Sequence, residues 1–322
     1  MRKIIVEQIP KPVRLDKYLK EVIKDISREK IVFLIKQGKI KIKDKEKIKP
    51  SLLLKGGEEI YLDDSVIQKN KEAPVLKPLS LSLEPKILYE NNDLLVIDKP
   101  AGVLTHASLS NLNSPSIASW LIGKYPFISQ VGEDKLRPGI VHRLDKDTAG
   151  VLIIAKNNNS FFYLKNLFKQ RKVKKRYVAL VKGELKQSKG EIDFPLTRSK
   201  KSTVKQKVVV NKTEERKAKA ALTKYQVLER FKGFTLLEIM PETGRTHQIR
   251  VHLASIGFPV VGDKLYGKFK KSDNFNLSYH FLHAQEVSFI SPTGENLVIK
   301  TSLPQELKEF LNQLSKTSKK VA

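Results

Sequence analysis

The chain has 322 residues, 40% of them hydrophobic and 30% charged, and its 61 Lys and Arg against 34 Asp and Glu give a net charge of +27. That balance suits a folded protein with a polyanionic partner, because each phosphate neutralised by a cationic side chain releases counterions. Cysteine is absent, which excludes disulfides, thiolate metal sites and cysteine nucleophiles. No apolar run reaches the ~18 residues of a membrane span and no signal-peptide pattern is present, so a cytoplasmic protein is expected.

Residues 1–9 alternate apolar and polar side chains like a strand, which Pro10 and Pro12 end. Leu15, Tyr18, Leu19, Val22 and Ile23 recur at helical spacing. Ser27 offers the N-cap of a second helix that aligns Ile31, Leu34 and Ile35, and Gly38 offers its stop. Strand-like alternation over 39–43 and 58–62 completes a unit of two helices followed by a small sheet, residues 1–63. Residues 64–85, with Pro74, Pro78 and Pro85, read as an extended linker.

A second domain is expected over 86–302, opening with a hairpin across Asn91-Asn92-Asp93. Lys99-Pro100-Ala101-Gly102 is a tight turn with a structural role, since Pro fixes φ and Gly supplies the unusual angle. Ser114 as N-cap and Pro115 at the first position predict a helix to Lys124 that buries Ile117, Trp120 and Leu121. Residues 139–156 have two unlike halves. Residues 151–155 form an unbroken apolar run, a strand buried on both faces. Before it, His142, Arg143, Asp145, Lys146 and Asp147 crowd a short turn, which is costly unless those groups are paired or used. An aromatic-rich helix over 158–170 follows, and then the basic run 171–176 leads into a strand carrying Tyr177.

Residues 185–217, dense in Lys, Thr and Ser, predict hairpins able to track phosphates. Strands are expected over 218–230 and 234–240. A helix burying Ile249, Val251, Leu253 and Ile256 should follow, with Thr243 and Thr246 as N-cap candidates and Arg245 at its mouth. A strand over 280–289 and a terminal segment 303–322, a helix and a basic tail, close the chain. Several antiparallel pairs with few helices between them imply an α+β domain, its mixed, mostly antiparallel sheet flanked by helices.

His142-Arg-Leu-Asp-Lys-Asp-Thr-Ala-Gly resembles the signature loop of the RluA/RluD-type RNA pseudouridine synthases, although Ala149 stands where the family usually has Ser. Lys99-Pro-Ala-Gly, Lys175-Arg-Tyr and the stretch around Arg245 resemble further motifs of that family. The resemblance implies that Asp145 is catalytic, that Tyr177 stacks on the extruded base, and that Arg245 pairs with Asp145, holding it charged and oriented. It also implies that Arg143 fills the place a flipped uridine leaves in RNA. Residues 1–63 resemble an alpha-L RNA-binding domain, whose positive helix edge would be Arg28, Lys30, Lys36 and Lys39. The expected reaction isomerises uridine, mostly in large-subunit ribosomal RNA, by a monomer. It needs no cofactor, metal or redox step, and the first step, attack on the sugar or deprotonation to a glycal, stays open. The charge and the first domain suit a non-catalytic RNA-binding protein equally well. His142, His247, His252, His280 and His283 lack the spacing of a metallohydrolase.

Overall fold

The computed structural model describes residues 2–23, 26, 28–62, 76–107, 111–199, 202, 204–210, 218–270, 273 and 275–319. Two compact units emerge, one formed by Met1–Lys77 with Ala107–Ser114, the other by Pro78–His106 with Pro115–Ala322. From the sequence the domains are expected at 1–63 and 86–302. Residues 64–75 of the expected linker, and residue 63 before them, lie outside the described residues, while Leu76 is buried and therefore packed rather than loose.

The first unit runs β1 (Arg2–Ile5), β2 (Val13–Arg14), α1 (Leu15–Val22), α2 (Arg28–Lys36), β3 (Ile40–Ile42), β4 (Leu53–Leu54) and β5 (Glu59–Leu62). Strands β1, β5 and β3 form one antiparallel sheet, and β2 pairs with β4. The apolar positions read from the sequence, Leu15, Leu19, Ile31, Leu34 and Ile35, meet Ile40, Ile60 and Leu62 in a single core. Gly38, at φ +68°, ends α2 through bonds from its own N–H to Ile35 and from the Lys39 N–H to Leu34. Ser27, the expected cap, lies outside the described residues.

The second unit contains β6 (Lys86–Glu90), β7 (Leu94–Lys99), α3 (Ile117–Lys124), β8 (Ala149–Ala155), α4 (Asn158–Lys169), β9 (Lys174–Lys182), β10 (Lys189–Asp193), β11 (Leu196–Arg198), β12 (Gln206–Val208), β13 (Leu222–Phe231), β14 (Phe234–Pro241), α5 (Gln248–Ser255), β15 (Leu282–Ile290), β16 (Asn296–Lys300) and α6 (Gln305–Lys319). One large sheet has the order β10-β13-β14-β9-β15-β8-β7-β6, with β16 added beside β15. Every pairing in it is antiparallel except β8 with β15. The expected α+β class and mostly antiparallel sheet are found. Among the described residues no helix is long and apolar enough to cross a membrane.

Several local expectations are corrected. Helix α3 is capped by Ser116 in a reciprocal box with Ser119, two residues beyond the expected Ser114, because the Ile117 N–H is held by the Leu104 carbonyl. Trp120, by contrast, is in the core as expected, 5% exposed. Helix α6 is no appendage, since Leu307 is fully buried in the sheet's main core beside Phe310 and Leu311. Strand β16 had no clear signal in its exposed alternate positions.

All of β8 is buried, as its apolar run predicts. Gly150, at φ +122°, sits where a Cβ would lie 2.2 Å from the Ala284 carbonyl oxygen of β15. Gly150→Ala should therefore force β8 from β15 and destabilise the protein by about 3 kcal/mol or more. Chemical denaturation measures this, and an unchanged midpoint would contradict the packing.

Candidate active site

The charged turn ahead of β8 is pinned at several points. Thr105 Oγ1 donates to the Leu144 carbonyl at 2.8 Å and accepts from the Leu144 N–H at 3.2 Å. The Lys99 ammonium is fully buried and donates to the carbonyls of Pro100, Val103 and Lys146 at 2.9, 2.8 and 3.0 Å. Burial pushes Lys99 down to about 7, but three carbonyl acceptors call for three N–H donors, which only the ammonium has. This contact gives the Lys-Pro-Ala-Gly turn its supporting place under the Asp145 loop. His142 accepts from the Ile153 N–H at 2.8 Å and stacks on Phe168; burial pushes it down to about 3, so it is a neutral acceptor. Thr148 Oγ1 lies 2.8 Å from His280 Nε2, closing the turn's far end.

These anchors set Asp145 in a cleft of about 560 Å³, lined also by Arg143, Lys175, Tyr177, Arg245, His247 and Arg250. Its partner is Arg250, whose Nη1 donates to Asp145 Oδ2 at 2.9 Å. Arg250 is itself held from behind, donating through Nε and Nη2 to Asp263 at 2.8 and 2.9 Å. Asp263 is 1% exposed and also accepts from the N–H groups of Leu265 and Tyr266. The Tyr266 ring lies 5.4 Å from the guanidinium and its hydroxyl lies 2.9 Å from His247 Nδ1, while His247 Nε2 stands 3.9 Å from Asp145 Oδ2. Burial works against the Arg250 charge, but the bonds to and fields of Asp263 and Asp145 outweigh it and raise its pKa. Asp145 Oδ1 has no hydrogen-bond partner among the described residues.

The pairing expected of Arg245 is thus made by Arg250. Arg245 is exposed at the cleft's edge, where its Nε donates to the Ala220 carbonyl at 3.1 Å. The cause is the start of α5. Thr243 is drawn inward to donate to Gln248 Oε1 at 2.7 Å, Thr246 is exposed, and His247 takes the N-cap place at φ +56°. The helix begins later than the threonines suggest, and its first turn carries Arg250 rather than Arg245 toward Asp145. Asp263, overlooked in the sequence, follows the buried pair Val260-Val261 and a glycine of positive φ, a position where a carboxylate needs a partner.

Tyr177 lines the same cleft; burial and then the nearby Asp145 charge raise its pKa, so the phenol keeps its proton. Arg143 is exposed, its Nη1 3.4 Å from His106 Nε2. In the first unit, Arg28 donates to the buried Asp16 at 3.1 and 2.7 Å, and Arg14 donates to the same carboxylate at 3.0 Å twice. Lys30 lies over the Phe33 ring, and Lys36 and Lys39 are exposed.

The cleft thus holds a loop carboxylate set just ahead of a buried strand, paired with a doubly anchored arginine and accompanied by a tyrosine and further basic side chains. Residues 93–255 match the family model described as RNA pseudouridylate synthase. The chain is 38% identical to an uncharacterized RNA pseudouridine synthase of Aquifex aeolicus, with 95% of each chain covered. It is 34% identical to ribosomal large subunit pseudouridine synthase C of Buchnera aphidicola, covering 94% of this chain and 93% of that one. Human RNA Pseudouridylate Synthase Domain Containing 1 is similar in structure, with a TM-score of 0.57 and 27% identity over 76% of this chain and 97% of that one. The chain belongs to the RluA/RluD-type family of RNA pseudouridine synthases and is an isomerase.

Proposed function

We propose that the protein isomerises uridine in large-subunit ribosomal RNA, with Asp145 as the catalytic group. The observation that carries this reading is the Asp145–Arg250–Asp263 chain, which fixes one oxygen of Asp145 and leaves Oδ1 open to substrate. A preset carboxylate pays its ordering cost during folding and not at the reaction. The reaction breaks the bond from uracil nitrogen to the anomeric carbon, turns the base and joins carbon five to the sugar. Tyr177 stacks on the extruded base, and its protonated hydroxyl serves as a donor. Arg143 fills the vacated place in the RNA, and phosphate contacts offset the few kcal/mol of unstacking. The ribosomal target is supported by the name of the Buchnera relative.

Tritium release from RNA labelled at uracil carbon five tests the reading, with EDTA present. Turnover on large-subunit transcripts is expected; tight, salt-dependent binding with no release would favour a binding protein instead.

The first unit contributes RNA affinity through Lys36 and Lys39, while Arg28 is committed to Asp16. Changing Lys36 and Lys39 together to Glu should weaken RNA binding about tenfold or more with an unchanged melting temperature. Arg28→Ala, by contrast, should lower the melting temperature, because Asp16 is 1% exposed and loses half its partners. Equal RNA affinity in the double variant would remove this role.

A further inference from the structure

The basic run leading into β9 is divided by the strand's alternation. Arg176 meets two carboxylates on neighbouring strands, Glu238 at 3.5 Å and Glu286 at 3.6 Å. Lys175 faces the other way, on the same side of β9 as Val173 and Tyr177, and lines the Asp145 cleft with them. It is half-buried and, among the described residues, its ammonium makes no hydrogen bond or ion pair. Glu242 is the carboxylate whose field reaches it, and burial still pushes its ammonium down to about 8. Lys169 and Arg171, at the end of α4, are exposed and line the same cleft.

An ammonium withdrawn from water without a partner is costly, and a site for uracil and ribose alone gives it nothing to pair with. Both of those groups are neutral. The charged part of an RNA substrate is its phosphodiester. Two residues along a strand span about 6.6–6.8 Å, so Lys175 and Tyr177 leave β9 one pleat repeat apart, on the same face and into the same cleft. We propose that Lys175 is a phosphate ligand of the RNA inside the cleft, gripping the backbone next to the uridine that Tyr177 receives, with Lys169 and Arg171 continuing the track outward. This rests on the reading of the cleft as the uridine site. It assigns Lys175 to substrate binding and gives it no part in the chemistry.

The test measures dissociation constants for a large-subunit ribosomal RNA transcript across roughly 50 to 300 mM KCl, using wild type, Lys175→Met and Lys175→Arg. Lys175→Met should bind more weakly and lower the slope of log Kd on log salt by about 0.7 to 0.9, the loss of one phosphate contact. Lys175→Arg should keep the wild-type slope, since the charge is kept. Lys169→Met with Arg171→Met, both exposed and so safe for folding, should lower the slope by about twice as much. An unchanged slope in Lys175→Met that melts like wild type overturns the proposal. So does an unchanged slope in the double variant should Lys175→Met fail to fold. Tritium release on the same transcript separates the two readings. A lowered slope without release in wild type keeps the phosphate contact and sinks the isomerase assignment on that RNA, whereas release with unaltered slopes does the reverse.

Discussion

Asp145→Asn is expected to reduce tritium release from uracil carbon five by at least about a thousand-fold, while RNA affinity stays within a few-fold of wild type. Asn matches Asp in size and still offers an oxygen to Arg250, so the loop keeps its shape. Arg250 also keeps both bonds to Asp263 and is not left as an unpaired buried cation. What the substitution removes is the charge at the open oxygen, which either proposed first step requires. Single-turnover release with saturating enzyme separates this from a binding defect. A variant that turns over within tenfold of wild type would transfer the chemistry away from Asp145.

The parts legible in the sequence were those set by local pattern. The run that became β8 could be read as doubly buried because it has no polar position, and the Asn91 hairpin because its side-chain oxygen caps the N–H groups of Asp93 and Leu94. Helix ends were harder. Ser114 and Ser116 are equally good caps by residue type, and the choice fell to a contact with the Leu104 carbonyl, remote in sequence. The Arg250 pairing was harder still, since it joins residues 105 positions apart. Arg245 and Arg250 differ little as isolated cations. Their difference lies in Gln248, which draws in Thr243, donates to Leu222 and Thr223, and so fixes where α5 begins. No periodicity encodes that.

The resulting assignment separates the two arginines experimentally. Arg250→Ala would leave two carboxylates without their shared cation, and is expected to cost about a hundred-fold or more in turnover together with a clear loss of stability. Arg250→Lys should recover little, because one ammonium cannot reproduce three bonds spread over Asp263 and Asp145 from a rigid plane. Arg245→Ala, on an exposed side chain that among the described residues is bonded only to a carbonyl, should stay within about tenfold and act on RNA affinity rather than on the saturated rate. Asp263→Asn gives the acid-side counterpart. Burial pushes Asp263 up, but Arg250 and the amides of Leu265 and Tyr266 outweigh it and hold it below the ordinary 3.8. Its contribution to stability is therefore complete above that value and is lost as pH falls through the lower folded one. Wild type should lose this stability only below about pH 4, and Asp263→Asn, weaker at neutral pH, should lack that part of the acid dependence. Denaturation curves from neutral to acid pH read this directly, alongside the release assay. If Arg245→Ala loses turnover and Arg250→Ala keeps it, the carboxylate's working partner is the other arginine and the doubly anchored floor has no part in catalysis.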